Sequence, residues 1–516
     1  MTLLPAPRDT ERFRTLVARR FGLNFDDGKR GFLTEVLHRR IEATGRLPTA
    51  YVSHVESPEA TREELRILAQ ELTVTETYFF RNADQFRAFK EIVLPNCMRG
   101  QAGRRSLRIL SAGCASGEEA YSLAILLRDQ LPDTAPSEVS ILGVDINSAM
   151  LEKAARARYS SWSLRETPAE IRAHWFRAEG RDFLLDARIR PMVRFEERNL
   201  VEDDGALWRS EAFDIVFCRN VIMYFTPEIA QAVAARISRS LRPAGFLFLG
   251  HAETLRGLSQ DFHLRHTHET FYYQRRDCSE RPGGSIAEFD DSFAPRNTSL
   301  PEVVGLDNSW VETIRRASER IQALTLPTSL PVSASRPTIA VARVSTPRAT
   351  GDLRLAIDLL RQERFSEAQA MLSALPPDRA DDPDVLLLRA VLLTHGGDLA
   401  EAEKVCLELL DLDEMSAGAH YLMALCREEA CDHQGAVDHD QVAIYLDPGF
   451  AMPRLHLGLL ARRAGNQDAA RRELGQALVL LQREDGSRLL LFGGGFTREA
   501  LVALSRAEMV SCGGRP

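Results

Sequence analysis

The sequence predicts three consecutive architectures: a small all-helical piece, an α/β domain on a mostly parallel sheet, and an all-α solenoid. Three observations carry this. Between residues 76 and 276, apolar β-rich runs alternate with helical patterns, the signature of strands joined by crossover helices. From 350 to 482, small residues recur 34 apart, which marks stacked helix pairs. Ahead of both, residues 8–75 place their apolar side chains at helical spacing.

Length and charge narrow the classes. The 516 residues suffice for about three or four domains at roughly 100–200 residues each. A net charge of −8 argues against a chain built to coat nucleic acid, and 44% hydrophobic with 27% charged residues is ordinary for globular proteins. No apolar run reaches membrane-spanning length, and the N-terminus lacks the build of a secretory signal. Eight cysteines without CxxC spacing disfavour zinc and a disulfide framework, so a cytoplasmic location is expected.

Taken in order, Phe13, Leu16, Val17 and Phe21 define one amphipathic helix, and Leu33, Val36, Leu37 and Ile41 another. This piece is too small to bury much alone and should lean on the α/β domain next to it in the chain. Strands are expected at Leu107–Ser111, Val139–Asp145, Val193–Glu196, Phe213–Cys218, Phe246–Leu249 and Phe271–Gln274, the last pairing antiparallel at an edge. His263, His266 and His268 fall in the loop before it, where no carboxylate spacing supports a metal. Seven prolines between 282 and 347 then predict a flexible tether.

The repeat has three series: Ala356, Ala390, Ala424 and Gly458; Ala368, Ala402, Ala436 and Ala470; and Leu375, Leu409, Ala443 and Ala477. Small residues are needed where helices cross closely, so each series marks a helix contact. The period resembles tetratricopeptide repeats, with Pro448 where such repeats often carry proline. The tail after 483, with Gly493-Gly-Gly, is expected to cap the stack. Expected boundaries are 1–75, 76–277, 278–349, 350–482 and 483–516.

Candidate chemistry sits where the strands end. Leu107–Ser111 runs into Ala112-Gly113-Cys-Ala-Ser-Gly117-Glu118-Glu119, with a helix expected to open at Tyr121. Glycines at such a turn let backbone approach a ligand closely. The two carboxylates disfavour a phosphate at this helix start, although they could simply serve the helix dipole. Asp145 ends the second strand, where an acidic residue commonly accepts ribose hydroxyls, or else it caps the following helix. A nucleoside site without phosphate that tolerates a cation fits S-adenosylmethionine better than a dinucleotide.

Four motifs then become specific. Thr73-Val-Thr75-Glu-Thr77-Tyr-Phe-Phe-Arg81, Ser111 to Ser122, Cys218-Arg219-Asn220-Val-Ile-Met-Tyr224-Phe, and Leu241 to Glu253 resemble, in the right order, the CheR family of chemotaxis receptor methyltransferases. The resemblance spans about residues 8–276. It implies a helical N-terminal domain, a Rossmann-like methyltransferase domain with a small β-subdomain between Tyr159 and Asn199, and methyl transfer from S-adenosylmethionine to receptor glutamates, leaving S-adenosylhomocysteine. By position it implies that Thr75, Thr77 and Arg81 line the cofactor's amino-acid end. Glu119 and Asp145 would hold the nucleoside, with Glu118 open as the alternative to Glu119. Asn199 and Leu200 would flank the adenine, and Arg219 and Asn220 the sulfonium. Thr75 stands where the family often has Asn, so it keeps a hydroxyl but loses the amide fork.

Arg81 and Tyr224 are the catalytic candidates, expected to hold the acceptor carboxylate; a surface ion pair and plain packing are their respective alternatives. Arg39 and Arg40 match a basic helix that meets acidic receptor helices, against the alternative of a solvated basic face. The short turn within Phe176–Leu185 favours receptor recognition without a C-terminal pentapeptide. Partners are thus chemoreceptor helices, reached at the membrane only through the receptors, plus an unnamed ligand of the repeats, and no nucleic acid. Two alternatives stay open: a methyltransferase of another substrate class, and a non-catalytic scaffold acting through its repeats.

Overall fold

The computed structural model describes residues 5–57, 62–99, 106–131, 138–268, 270–277, 355–360, 362, 364–375 and 381–513. The expected tether at 278–349 lies outside the described residues. Two compact units divide the chain, Met1–Glu280 and Arg281–Pro516.

The first unit opens with four helices, α1 (Pro7–Phe21), α2 (Arg30–Thr44), α3 (Pro48–Glu56) and α4 (Arg62–Leu72). Pro7 starts α1 where its missing N–H costs nothing, and Gly22 ends it in the left-handed region at φ 73°. Their apolar faces close a core of their own around Phe13, Leu33, Val36, Tyr51 and Leu68. Arg40 belongs to that interior. It is buried, and its guanidinium meets Glu64 at 3.0 and 2.7 Å while the Tyr51 hydroxyl donates to the same carboxylate at 2.5 Å. The two donors hold Glu64 below the usual carboxylate range against the cost of burial. Arg40 is therefore withdrawn from the basic face expected to meet receptor. Arg39, one position earlier, remains exposed, shared between Glu35 and Glu71.

Residues 22–24 seat these helices on the α/β domain. Leu23 bridges antiparallel to Phe225, Asn24 N–H donates to the Tyr224 carbonyl at 2.7 Å, and Thr226 N–H to that of Gly22 at 2.9 Å. Only glycine fits at 22, because a Cβ would lie 2.7 Å from both Val201 and Ile229. Arg66 also grips Glu197 at 2.8–2.9 Å through its Nε.

The α/β domain has a seven-stranded sheet and a three-stranded one. With β1 Leu107–Ala112, β2 Val139–Asp145, β3 Arg158–Ser160, β4 Phe176–Glu179, β5 Asp182–Leu185, β6 Val193–Glu197, β7 Phe213–Cys218, β8 Leu241–Leu249, β9 Phe262–Thr267 and β10 Thr270–Arg275, the large sheet runs β6-β2-β1-β7-β8-β10-β9. It is parallel through β8 and antiparallel beyond. Two sequence expectations change. The histidine segment is strand β9, with His263 and His266 inside it, and β9 rather than β10 is the edge. The family's β-subdomain is the antiparallel sheet β3-β5-β4, whose hairpin turns on Gly180 and Arg181 alone.

The second unit repeats at 34 residues. First helices are Pro383–Gly396, Ala417–Glu429 and Ala451–Arg463, and second helices Leu399–Leu412, His433–Leu446 and Gln467–Leu481. Asp398, Asp432 and Asn466, 34 apart, each cap a second helix through a side-chain oxygen. These are tetratricopeptide repeats. Ala390, Ala424, Ala402, Ala436, Ala443, Ala470 and Ala477 are all fully buried, and a Cβ at Gly458 would meet Leu474 at 2.7 Å, so the small-residue series are the close helix crossings.

A buried charge cluster ties three successive helices of this stack. His456 contacts Glu428 at 3.0 Å and Asp440 at 2.7 Å, all with side chains at most 1% exposed, and Arg463 also pairs with Glu428. The two carboxylates push His456 up to about 10, overcoming burial. Its contribution is complete below the free imidazole's pKa of about 6.5 and is lost as pH rises through about 10. His456→Leu should destabilise the repeat unit by about 3–5 kcal/mol at pH 7, because buried carboxylates lose their counter-charge. Urea unfolding at pH 7 and 10 should show the parent losing stability between the two, and the variant losing less; equal losses would deny His456 that role.

Candidate functional site

The site lies at the carboxyl ends of β1, β2 and β7, where ligands of open parallel sheets collect. Helix α5 (Glu118–Gln130) begins straight after the β1 turn, three residues earlier than expected, so Glu118 and Glu119 form its first turn. The turn needs its glycines. Gly113 has φ 73° and a Cβ there would lie 2.3 Å from Val221, and Gly117 has φ 87° with Phe195 and Ala154 at 2.9 Å.

Asp145 closes the turn from the neighbouring strand. One carboxylate oxygen accepts from Ala115 N–H and the other from Asn147 N–H, both at 2.8 Å. Burial pushes its pKa up, and these donors pull it back. Helix α6 (Ser148–Arg156) is capped by Asn147, whose side chain accepts from Met150 N–H, so Asp145 is not its cap. Each Asp145 oxygen keeps lone-pair capacity for a further donor.

The two glutamates part company. Glu118 is fully buried and accepts from the Ser116 hydroxyl at 2.8 Å. Glu119 accepts from Ser111 at 2.7 Å and pairs with Arg219 at 3.3 Å. Arg219, its side chain 3% exposed, also donates to the Arg81 carbonyl at 2.5 Å and lies over the Phe86 ring at 5.5 Å. One guanidinium thus joins the β1 turn, the β7 turn and the 73–81 segment. Burial pushes Glu119 up and Arg219 down, each opposed by the other's charge. The buried Nε of Arg219 has no hydrogen-bond partner among the described residues.

The 73–81 segment runs extended from α4 to a tight turn. Thr75 is exposed and Thr77 half-buried. Thr73 is tied to Asn147 at 2.9 Å, and Arg81 donates to its own Glu76 carbonyl at 3.2 Å. The Tyr78 ring has Arg165 at 3.7 Å and Arg81 at 5.6 Å. Asn199 donates to the Arg20 carbonyl at 2.9 Å and accepts from Val201, fixing the loop that carries buried Leu200 against α1. Tyr224 is half-buried in a short helical turn whose neighbour Met223 is 52% exposed.

Thr73–Arg81, Glu119, Asp145, Arg219 and Asn220 are thus carried on adjoining loops of one strand-end cluster. Asn199 and Tyr224 lie where α1 and residues 22–24 meet it, whereas Arg39 and Arg40 lie in the helical bundle.

Sequence reasoning gave no role to Glu253, and the structure supplies one. Its buried carboxylate accepts four backbone N–H groups: Asn220 at 2.6 Å, Gly250 at 2.7 Å, Val221 at 2.8 Å and Met223 at 3.1 Å. Asn220 adopts φ 57°, which Asn tolerates better than most residues, and Gly250 is needed because a Cβ would meet Glu253 and Asn220 within 2.8 Å. Motif position alone could not show this, because the donors come from two loops some thirty residues apart.

A strand-end carboxylate with spare acceptor capacity, two glutamates at the helix start and a buried guanidinium together fit S-adenosylmethionine. Comparison with known proteins agrees. Residues 75–271 match the family described as CheR methyltransferase, SAM binding domain. Chemotaxis protein methyltransferase 2 of Vibrio cholerae is 34% identical over 267 residues, 51% of this chain and 91% of that protein. The chain belongs to the CheR methyltransferase family. Chemotaxis protein methyltransferase 1 of Pseudomonas aeruginosa is 31% identical over 50% of this chain and 94% of its own length. The Probable biofilm formation methyltransferase WspC of Pseudomonas putida is 26% identical over 90% of this chain and 96% of its own length, so it runs through both units. The CheR domain here is an S-adenosylmethionine-binding enzyme domain.

Glu253→Gln places an amide NH2 against backbone donors. It should cost about 1.5–3 kcal/mol in the N-terminal unit and lower methyl transfer at least tenfold, since Asn220 loses its fixed position. Thermal melts and initial-rate assays check both. Unchanged rates would leave Glu253 a stability residue only.

Proposed function

We propose that this protein transfers the methyl group of S-adenosylmethionine to glutamate side chains on the cytoplasmic helices of chemoreceptors, forming methyl esters in a chemosensory adaptation system. The observation that carries the reading is the Glu119–Arg219–Arg81 junction beside Asp145, in a chain of the CheR family.

Bound there, the cofactor supplies an electrophilic methyl on a sulfonium. Asp145 and Glu119 would hold the nucleoside, Asn199 and Leu200 would flank the base, Thr75, Thr77 and Arg81 would face the amino-acid end, and Arg219 and Asn220 would lie toward the sulfonium. The acceptor glutamate has a pKa near 4.3 and is already ionised at neutral pH, so no general base is needed. Anion and cation meet and charge disappears as the methyl moves. The protein therefore acts through in-line placement and exclusion of water. Arg81 and Tyr224 hold the acceptor carboxylate and shape its approach.

Arg39, exposed on α2, is the remaining basic residue of the pair proposed to face acidic receptor helices. The two-residue turn of the β4–β5 hairpin leaves little reach for clamping a receptor pentapeptide, which favours pentapeptide-independent recognition. No helix among the described residues is long and apolar enough to cross a membrane, in keeping with a cytoplasmic enzyme that meets the membrane through its receptors. The relative matched along 90% of this chain is named for biofilm formation, which favours a receptor array with that output over one steering motility. The repeats dock a partner protein, which places the enzyme at its array.

Incubation with receptor-enriched membranes and tritiated S-adenosylmethionine should yield receptor-dependent label that mild base releases as methanol. Base-stable label would indicate another substrate class, and no label with retained cofactor binding would indicate a scaffold.

A further inference from the structure

The 34-residue register does not stop at the last complete pair. A fresh first helix is due 34 residues after Ala451, at 485, and a helix does begin there, Gly486–Phe492, capped by Asp485 on Ser487 N–H at 2.8 Å. It ends after seven residues at Gly493, followed by Gly494 and Gly495 with φ 60° and 80°. The place against the last second helix goes instead to Arg498–Ser511, where Arg462 meets Glu508 at 2.8 Å and Arg498 donates to the Leu481 carbonyl at 2.9 Å. The expected cap is thus only the final helix.

The short helix lies back across the face shared by the first helices. The Phe492 ring rests on Gly418, where a Cβ would come within 2.8 Å of it, and its centroid is 5.1 Å from Phe450 and 6.0 Å from Tyr421. Its terminal carbonyls, orphaned as at any helix end, meet donors of earlier repeats: Leu491 takes His395 Nε2 at 3.3 Å and Phe492 takes the Tyr421 hydroxyl at 3.4 Å. Arg488 spans Asp447 and Glu484 and lies 4.6 Å over Phe450. Glu484 completes the anchor by accepting from Ala451 N–H at 2.7 Å.

We propose that the first-helix face is a docking groove for a short helical segment bearing an arginine followed one and four positions later by large apolar residues, and that Glu484–Phe492 fills it until such a partner displaces it. Seven residues do not hold a helix in water, so the segment's order comes from the groove. A partner offering the same three anchors gains the same contacts. Tethering gives the internal segment a millimolar effective concentration, so a free peptide competes poorly unless that segment is weakened.

The test titrates a fluorescein-labelled peptide of residues 484–497 into the full chain and into the Leu489→Ser plus Phe492→Ser chain. The variant should bind at least tenfold more tightly than the parent, and a peptide with Arg488→Glu and Phe492→Ser should not bind it. Should the double variant lose its cooperative melt, Arg488→Ala, which removes the ion pairs to Asp447 and to the buried Glu484 together with the stacked guanidinium but leaves Leu489 and Phe492 in place, should still gain at least threefold. Equal binding to parent and variants, no binding to any, or equal binding of the altered peptide overturns the proposal. A dimer of the parent chain in sedimentation that dissociates on adding peptide would also overturn it, assigning the groove to a second copy.

Discussion

The catalytic unit is organised by one carboxylate. Asp145 ends β2, and its two oxygens bind the backbone of the turn leaving β1 and of the turn leaving β2 itself. Parallel strands end in backbone groups that need partners once covered, and a charged acceptor satisfies two of them together. The consequences spread outward. The β1 turn is fixed with Ala115 at φ 45°, α5 starts at Glu118, and Glu119 points toward Arg219. Arg219 in turn draws in the 73–81 segment. The same carboxylate that orders these turns is the one proposed to accept from a ribose.

A second carboxylate repeats the device on the other side. Glu253 holds the β7 turn by four N–H groups, so the turns leaving β1 and β7 are each gathered onto a carboxylate. Acids suit this task in a site meant for a cation, since the same charges that order the loops favour the ligand. A phosphate-binding turn would have used the helix N-terminus alone, and here Glu118 and Glu119 occupy it.

Much of this was legible in the sequence because it is periodic or local. Continuous apolar runs marked six strands of the large sheet, five of them to within one residue at each end, while β8 begins at Leu241 rather than Phe246 because Arg242-Pro-Ala-Gly interrupts its apolar run. The 34-residue spacing marked the stacked pairs, since each small residue sits at a crossing where nothing larger fits. Strand β9 was missed because His263, Arg265 and His266 break the apolar pattern of an edge strand, which needs only one covered face. Arg40 was misplaced because adjacent arginines read as one basic patch, whereas a helix turns about 100° per residue and sends the second inward to Glu64. Glu253 and the folded-back segment were invisible for a shared reason: both depend on contacts between stretches distant in sequence, which periodicity does not record.

The central claim is that Asp145 is the nucleoside anchor, and calorimetry of S-adenosylhomocysteine binding to the full-length Asp145→Ala protein tests it most directly. Loss of charge-assisted hydrogen bonds, each worth about 1.5–3 kcal/mol, predicts an affinity weakened at least tenfold, with far-UV circular dichroism still native. Affinity equal to the parent's, in a folded variant, would contradict the account and move the cofactor away from the end of β2.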